Sequence, residues 1–590
     1  MPESAVVLKF GGSVLRKESD VDAATHEVYR WARHGHRVVV VVSALAGTTD
    51  RLAAEPIECS PAEADADHTA DDACDQRVRA MAARLAEGEL ETAALLCLAL
   101  DRMGLATEML DPRQMDLRTT GPLMDASPVS VNCNILRGNR EGRSHGSVVV
   151  VPGFVGVDQR HDCLSLLGRG GSDCTAVFLA HQLGASHCRL IKDVDGVYEW
   201  DPLATDAPPR RFCRLAWNDA VDRQNGVLQR KAVEYARDHQ QPFDVAAMHR
   251  NHTTRIDQGP TALAEDNGQP DVHLLSPCRV ALLGFGTVGA GVYDAVSTLP
   301  EIFNVTAVLV RNRFLADRDL LPDDLLITCQ DKAIDRQTDV VVEALGGVEP
   351  ARSLIACALE RGKDVVTANK TVIAEHGVEL QQLADRYGGR LRYAAAVGGA
   401  APLVEAVSHV AAGPGVASID AVLNGTTNFV LDRVSDGCSM SDSVREAQDR
   451  GFAEQDPSRD LDGRDAADKL AIMCRHAWPV EITPDDIRRA DLENMGNGII
   501  RQVASAHFDG VAVNAEVRPM SLTTTHPLAA AEEEWNIAVI QTCTGEQRVV
   551  RGRGAGRLPT TQAVVADLLD LVRLRAASML PDSTTKQQLD

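Results

Sequence analysis

A glycine-rich turn after an apolar run constrains the fold of this chain more than any other feature. The apolar residues 280–283 lead directly into a GxGxxG pattern, and helix-like spacing follows at 288–296. In such a strand–turn–helix the first glycine permits the tight turn, the second lets backbone approach a pyrophosphate, and the third brings the helix close to the strand. The pattern predicts a Rossmann-type dinucleotide site, with a plain tight turn as the alternative. The expected cofactor-binding residues here are Gly284, Gly286, Thr287, Val288 and Gly289.

The end of the next predicted strand bears on the choice of cofactor. Apolar residues 308–310 are followed by Arg311 and Arg313, and no acid stands at that end. An acid would bond the ribose 2′-hydroxyl of NAD, whereas arginine suits the 2′-phosphate of NADP. The sequence therefore favours NADP over NAD, with Arg311 as the contact, and ordinary surface arginines are the alternative.

Alternating strand and helix patterns indicate an α/β protein of several domains, since 590 residues exceed what one core usually holds. One group of strand-like runs precedes the glycine turn, and a second follows it. The runs lie at 5–10, 37–43, 147–157, 188–195, 306–310, 339–345 and 364–368. Residues 78–104 have helical spacing, and the acidic stretch 55–75 reads as an exposed loop.

Composition narrows the class of partner. A net charge of −24 argues against binding to nucleic acid or an anionic membrane. The chain shows neither a membrane-length apolar run nor a signal-peptide pattern. Its 14 cysteines include no CxxC, which argues against zinc and disulfide frameworks. We expect a cytoplasmic homodimer or homotetramer that acts on small molecules.

A cluster of charged residues in the last third suits carbonyl reduction. Hydride transfer to an aldehyde leaves an oxygen that needs a proton or a cation, and Lys469 and Lys370 are candidates to supply it. Asp465 lies four residues before Lys469 on a helical stretch, so the two share a face, although an exposed helical ion pair is the common alternative. Glu454 and Asp460 are acceptors for a substrate ammonium.

Segments in this half resemble the homoserine dehydrogenase family. They are VVEALGGVEPA (341–351), GKDVVTANK (362–370), YAAAVGGAAPLV (393–404), VLNGTTNFVL (422–431), GFAEQDPSRDLDGRDAADKLAI (451–472) and GRGAGRLPTTQAVVADLL (552–569). The resemblance implies NAD(P)H-dependent reduction of L-aspartate 4-semialdehyde to L-homoserine. It assigns the proton donor to Lys469 and places Lys370 at the reacting centre and the cofactor. It also implies substrate binding by Glu454, Asp460 and Asp465, and a cofactor contact at Gly554.

The same resemblance implies a monovalent cation, Na⁺ or K⁺, held by backbone carbonyls. The matching positions are Ala394, Val397, Gly399 and Ala401. Alanine stands at 394 where the family usually has glutamate, and alanines stand at 400 and 401 where it usually has Gly-Ile. Carbonyl ligands need no particular side chain, so the site is expected to persist with altered strength.

The N-terminal half resembles the amino-acid kinase fold, and aspartokinase in particular. The motifs are VLKFGGS (7–13), LGRGGSD (167–173) and KDVDGVY (192–198), two of them glycine turns suited to phosphate. The resemblance implies phosphorylation of L-aspartate by ATP with Mg²⁺, with Lys9 as the catalytic cation. The implied ATP-binding residues are Lys9, Gly11, Gly12, Ser13, Asp193 and Tyr198. The implied aspartate-binding residues are Glu89, Arg169 and Asp173, with Arg169 on the carboxylate.

This half departs from the kinase pattern. Val14 replaces a hydroxyl residue, and two cations are lost at Leu203 and Gly226. Lys192 or Arg230 is positioned to compensate. Two hypotheses stay open: an active kinase, or a silent kinase-like module fused to a monofunctional dehydrogenase.

Together the two resemblances identify the chain with the bifunctional aspartokinase–homoserine dehydrogenases. The predicted order is an amino-acid-kinase-like α/β domain (1–255), a linker (256–276), a Rossmann domain (277–400) and an α+β catalytic domain (401–590). A C-terminal segment is expected to return to the nucleotide domain. Family members usually carry paired ACT domains between the halves, and the short linker predicts their absence and the absence of threonine feedback through them.

Overall fold

The computed structural model describes most of the chain as two compact units, one formed mainly by residues before 274 and the other mainly by those after it. The described residues are 5–54, 70–138, 148–201, 209–223, 226–250, 252–264, 277–311, 321–322, 324–334, 337–492 and 498–579, with backbone alone at 70–75 and 577–579. Leu203, Arg313, positions 55–69 and most of the predicted linker lie outside them.

A nine-stranded sheet forms the centre of the first unit within the described residues. In spatial order its strands are Ala262–Leu263, Phe212–Ala216, Thr253–Asp257, Phe243–Ala247, His187–Lys192, Ala5–Phe10, Arg37–Val42, Val148–Pro152 and Thr107–Met109. The neighbours from Phe243–Ala247 to Thr107–Met109 run parallel. Their valine-rich sequences suit strands that are buried on both faces. This register brings the ends of Ala5–Phe10 and His187–Lys192 to the same edge.

Helices and a smaller sheet complete this unit. The helices are Glu18–Arg33, Thr48–Ala54, Ala70–Arg102, Cys133–Leu136, Gly171–Leu183, Trp217–Asp222 and Arg230–Asp238. The second sheet has the spatial order Ser127–Ser130, Arg118–Thr120, Val155–Asp158 and Leu164–Leu166. The predicted helix at 78–104 is confirmed but begins earlier, at Ala70, so the acidic loop predicted to reach 75 is wrong for its last residues.

The run 147–157, expected as one strand, forms two strands that belong to different sheets. Val148–Pro152 joins the large sheet and Val155–Asp158 joins the small one. Phe154 between them has a φ of +66°, which redirects the chain. A Cβ at Gly153 would lie 2.6 Å from the Ser172 Cβ, so the turn packs closely on a helix. Apolar periodicity carries no signal for such a break.

The second unit opens with the predicted Rossmann sheet. Six parallel strands lie in the spatial order Leu326–Ile327, Phe303–Leu309, Cys278–Leu283, Val340–Glu343, Asp364–Thr367 and Leu391–Arg392. Numbered along the chain this is the 3-2-1-4-5-6 order of doubly wound dinucleotide folds. Its helices are Thr287–Ser297, Gln330–Ala333, Ala351–Glu360 and Lys370–Tyr387. The first strand lies at the switch point, where ligands bind beyond the carboxyl ends.

A mainly antiparallel six-stranded sheet forms the rest of this unit. Its order is Arg488–Arg489, Val513–Leu522, Ile499–Phe508, Val416–Val422, Trp535–Thr542 and Gln547–Arg553. The helices are Leu403–Ala412, Gly425–Ser435, Met440–Asp449, Ser458–Leu461, Arg464–Ala477 and Arg557–Met579. The last helix returns to the nucleotide-binding sheet, where Val564 and Leu568 share a core with Val280 and Val292.

The described helices include none long and apolar enough to cross a membrane. The described cysteines are free thiols.

Candidate active sites

The glycine turn of the second unit fits a dinucleotide. Gly284 has a φ of +104°, and a Cβ at Gly289 would lie 2.2 Å from the Gly284 carbonyl oxygen, so both positions require glycine. A Cβ at Gly286 would meet no protein atom within 4 Å, yet this residue caps the helix Thr287–Ser297 without a side-chain hydrogen bond. An open, exposed helix N-terminus at the switch point suits a pyrophosphate.

Other predicted cofactor contacts have different surroundings. Arg311 is exposed just beyond the strand Phe303–Leu309. A Cβ at Gly554 would lie 2.1 Å from the Asn536 side chain, so glycine is required there for packing. Both assignments to the cofactor stay predictions.

Two lysines and one carboxylate meet in the second unit as the sequence predicted. Asp465 is 2% exposed; its Oδ2 lies 2.9 Å from the Lys469 Nζ, and its Oδ1 accepts from Lys370. Lys469 also donates to the Leu423 carbonyl at 2.5 Å. Lys370 is the first residue of its helix, whereas Asp465 and Lys469 stand one turn apart on Arg464–Ala477. The exposed-pair alternative is excluded, because Asp465 and Lys469 are both buried.

The opposite charges of this cluster outweigh the effect of burial on the pKa values of Asp465 and Lys370. Burial by itself would raise the pKa of Asp465, but Lys469 and Lys370 outweigh it and the net pKa is lowered. Burial would lower the pKa of Lys370, but the Asp465 charge outweighs it and the net pKa is raised. The site therefore holds a carboxylate between two ammonium groups, a donor arrangement suited to an oxygen that gains charge.

The two remaining predicted substrate acids, Asp460 and Glu454, have different surroundings in the structure. Asp460 is half-buried and accepts from the Asn424 Nδ2 at 2.7 Å, and burial raises its pKa. Glu454 is exposed, and among the described residues no hydrogen bond or ion pair joins its side chain to the Asp465 cluster. Substrate binding by Glu454 stays a prediction.

Three residues that sequence reasoning passed over support these groups. Asn369 caps the helix of Lys370 through Val372 N, and Glu343, fully buried, accepts from Thr367 Oγ1 at 2.5 Å. Asn424 caps the helix Gly425–Ser435. The two asparagines had a sequence signal, since each stands between an apolar strand and a helix in an N-cap position.

The predicted cation loop is buried, and its carbonyls are partly engaged. Ala394 O accepts from Val397 N at 3.2 Å, and Ala401 O accepts from Leu403 N at 2.8 Å. Gly399 has a φ of +55°. Each accepting carbonyl retains a second lone pair, so a cation at Ala394, Val397, Gly399 and Ala401 stays a prediction.

The first unit holds a cavity of about 710 Å³ lined by most of the predicted kinase residues. They are Lys9, Gly12, Glu89, Arg169 and Asp173. Gly11 is adjacent, since its Cβ would lie 2.8 Å from the Lys9 Nζ. Ser13, Asp193 and Tyr198 lie outside the lining; Tyr198 is buried and donates to Asp195 at 2.7 Å, so its predicted contact with ATP stays untested.

Two lysines share one carboxylate in this cavity. Asp173 Oδ1 lies 2.6 Å from the Lys9 Nζ, and its Oδ2 accepts from Lys192 at 2.7 Å. Burial would raise the pKa of Asp173, but the two lysines outweigh it and lower it, whereas burial lowers the pKa of Lys9. Burial raises the pKa of Glu89 to about 8, and its Oε2 has no hydrogen-bond partner among the described residues.

Comparison with known proteins confirms the prediction that the two halves of the chain belong to different families. The model of the amino acid kinase family matches residues 4–246, that of the homoserine dehydrogenase NAD binding domain matches 284–394, and that of homoserine dehydrogenase matches 402–569.

Individual relatives match the second half. Homoserine dehydrogenase from Synechocystis sp. is 34% identical over 322 residues, covering 51% of this chain and 74% of the relative. Homoserine dehydrogenase from Lactococcus lactis is 32% identical over 323 residues, covering 50% and 74%. The crystal structure of a homoserine dehydrogenase from Thiobacillus denitrificans aligns at 30% identity with a TM-score of 0.48, covering 51% of this chain and 74% of that one.

Along the chain, the family models match a kinase-fold domain first, then a nicotinamide-binding domain and then an oxidoreductase domain. This is the order of domains in bifunctional aspartokinase–homoserine dehydrogenases. The chain belongs to the homoserine dehydrogenase family.

Proposed function

We propose that the second unit reduces L-aspartate 4-semialdehyde to L-homoserine. The observation that carries this is the Lys370–Asp465–Lys469 cluster, with Asp465 and Lys469 buried in the same unit as the glycine turn. The reduced nicotinamide, when bound, supplies the hydride that the carbonyl carbon accepts. Lys469 donates the proton that the carbonyl oxygen takes up, and Asp465 holds that ammonium on the reacting face.

The amino group of the substrate needs an anionic acceptor that is not already neutralised. Asp465 is shared by two lysines, whereas Asp460 pairs with a neutral amide and is half-buried. Asp460 is therefore the better placed acid, with Glu454 as an exposed second candidate. A monovalent cation at the 394–401 loop is proposed as a structural support for this region.

The reaction is tested by identifying the product. Purified protein given aspartate semialdehyde and NADPH or NADH is expected to yield homoserine. We expect NADPH to be preferred because Arg311, exposed just beyond the strand Phe303–Leu309, suits a 2′-phosphate. Arg311→Glu should reverse that preference while kcat with NADH is retained. Failure of the wild type to form homoserine with either cofactor would refute the proposal.

For the first unit we propose ATP- and Mg²⁺-dependent phosphorylation of L-aspartate at the Lys9–Asp173 cavity. Positioning and charge neutralisation do most of the work in phosphoryl transfer. Lys9 and Lys192 supply two ammonium groups, and the N-terminus of Gly171–Leu183 faces the same cavity. The unpartnered Glu89 oxygen suits the substrate ammonium, whose positive charge would favour the ionised form of the carboxyl group over the protonated form that burial favours. Arg169 suits a carboxylate.

Lys192 is the better substitute for the cation lost at Gly226. Its side chain is 11% exposed and lines the cavity, whereas the Arg230 side chain is 70% exposed and pairs with Glu234 at 2.8 Å. Lys192→Met should therefore lower kinase activity, and Arg230→Met should not. The alternative of a silent kinase-like module rests on the two cations that are lost, at Leu203 and Gly226.

A further inference from the structure

The side chain of Asn424 has one fixed orientation in the dehydrogenase unit. Its Oδ1 accepts from Thr427 N at 2.8 Å and so caps the helix Gly425–Ser435. The amide is 5% exposed, and the cap requires an acceptor at that position. The two N–H groups of Nδ2 must therefore point away from the helix, toward the charged cluster.

Both N–H groups reach carboxylates. Nδ2 lies 2.7 Å from Asp460 Oδ1 and 2.8 Å from Asp465 Oδ2. Asp460 stands on the short helix Ser458–Leu461 and Asp465 on Arg464–Ala477, so one amide joins two separate elements. The Asp465 oxygen that Asn424 contacts is also the one 2.9 Å from the Lys469 Nζ.

A neutral double donor is the group that this position requires. Two neighbouring carboxylates repel, and a carboxylate is costly to bury without hydrogen bonds. A lysine here would neutralise the acids, and a carboxylate would add to their repulsion. The amide donates a hydrogen bond to each acid without neutralising either one. The charge of Asp465 can therefore be balanced by the lysines, and the charge of Asp460 by a substrate ammonium.

The backbone beside Asn424 adds a third link. The carbonyl of Leu423 accepts from the Lys469 Nζ at 2.5 Å. The strand-to-helix turn at 423–424 therefore contacts the ammonium through its backbone and the two acids through a side chain.

We infer that Asn424 is a positioning residue of the dehydrogenase reaction, because it holds the Asp460 and Asp465 carboxylates in fixed positions relative to Lys469. The substrate ammonium and the substrate carbonyl can then be bound at the same time. The inference rests on the proposed assignment of the reaction to this cluster. Asn424 acts through the acids and does not itself exchange a proton.

Asn424→Asp separates this role from capping, because aspartate caps a helix as well as asparagine does but lacks the amide donors. We expect kcat/KM for aspartate semialdehyde to fall roughly 10- to 100-fold, as for loss of hydrogen bonds to charged groups. The acid limb of the pH–rate profile should move to higher pH, because a third carboxylate raises the pKa of its neighbours. The dissociation constant for NADPH should not change.

A second variant guards against misfolding, and a third controls for capping. Asn424→Ser keeps a capping oxygen and adds no charge, so kcat/KM should fall without a shift of the acid limb. Ser439 caps a different helix, Met440–Asp449, because its side chain accepts a hydrogen bond from Asp442 N. Ser439→Ala removes that cap without touching the cluster and should leave kcat/KM and the pH profile unchanged.

The inference is overturned if Asn424→Asp and Asn424→Ser retain the wild-type kcat/KM and pH profile, or if their activity losses only match a loss of folded protein. If Lys469→Met is inactive while both Asn424 variants are normal, the proposed reaction stands and the positioning role fails. If Lys469→Met is fully active, the proposed reaction site itself fails.

Discussion

At the scale of single residues, the dehydrogenase site depends on the charge of Asp465. This buried carboxylate contacts two lysines and one amide. Removing one member of such a buried set leaves the others uncompensated. The i,i+4 spacing of Asp465 and Lys469 was enough to predict their pairing, since it depends on one helix alone. Asn424 was missed because its partners lie on elements that only the tertiary fold brings together.

Replacement of this charge should move the alkaline limb of the dehydrogenase pH profile. In the wild type the Asp465 charge raises the pKa of Lys370 above 10.5 against the effect of burial. In Asp465→Asn the largest contribution that raises the pKa of Lys370 is lost, while burial and the smaller contributions of Asp460 and Asp468 remain. The pKa of Lys370 therefore falls, and activity that needs its ammonium is lost at lower pH. We expect kcat/KM to fall about 10²- to 10⁴-fold, the range for acid–base groups.

The measurement is kcat/KM against pH for the wild type, Asp465→Asn and Asp485→Asn. Asp485 is exposed and contacts Arg464 rather than the lysines, so its variant should match the wild type. An unshifted alkaline limb in Asp465→Asn would contradict the electrostatic coupling.

The buried carboxyl of Glu89 should make the first unit less stable as pH rises. Its folded pKa is raised by burial from 4.5 to about 8, so the folded state binds more protons than the unfolded state between those values. Stability is then full below pH 4.5 and declines as pH rises through about 8. Glu89→Gln should remove this decline, and its advantage in Tm over the wild type should grow from pH 5 to 8.

Calorimetry of the full chain across that pH range provides the test. Glu91→Gln, at a neighbouring position of the same helix where the side chain is exposed, should follow the wild type. A Tm difference between Glu89→Gln and the wild type that is constant with pH would rule out a raised pKa.

At the scale of elements, the strand–turn–helix at Gly284–Gly289 was predictable because Gly284 and Gly289 each meet a local steric requirement of the turn, and Gly286 leaves room for a ligand. The strand Cys278–Leu283 and the helix Thr287–Ser297 flank it as expected. The 3-2-1-4-5-6 sheet order is the order of the doubly wound dinucleotide-binding folds that this glycine motif predicts. The break in the strand run at Phe154 was not predictable, because the turn there packs against the helix Gly171–Leu183, which is distant in sequence.

Two glycine variants should separate cofactor binding from folding. In Gly286→Ala the new methyl meets no protein atom, so Tm should be unchanged, while NADPH binding weakens about tenfold or more, roughly 1.4 kcal/mol per tenfold. In Gly289→Ala the methyl meets the Gly284 carbonyl, so both Tm and binding should fall. Titration with NADPH and thermal unfolding provide the two readouts. Equal Tm losses in both variants would contradict a cofactor role for Gly286.

At the scale of the whole molecule, motif order predicted two halves with different chemistry, and the family matches follow the same order. Only residues 247–283 separate the kinase and NAD-binding matches. That is less than the roughly 50 residues of a small domain. Sequence alone did not fix the finer domain boundaries, because they depend on which surfaces pack together.

This spacing predicts that threonine does not inhibit through a domain between the halves. Dehydrogenase and kinase rates should stay constant as threonine is raised to millimolar concentrations, with a non-reacting amino acid such as alanine as the matched control. Saturable inhibition by threonine at submillimolar concentration would contradict the prediction.

The central claim is that one chain carries two separate catalytic sites, and reciprocal inactivation tests it most directly. On each purified sample, ATP-dependent aspartyl phosphate is trapped as its hydroxamate and NADPH oxidation by aspartate semialdehyde is measured. We predict that Lys9→Met abolishes only the first activity and Lys469→Met only the second. Hydroxamate formation that is absent from the wild type, or equal in the wild type and Lys9→Met, while the dehydrogenase works normally, would contradict the account and leave the first unit a kinase fold without kinase catalysis.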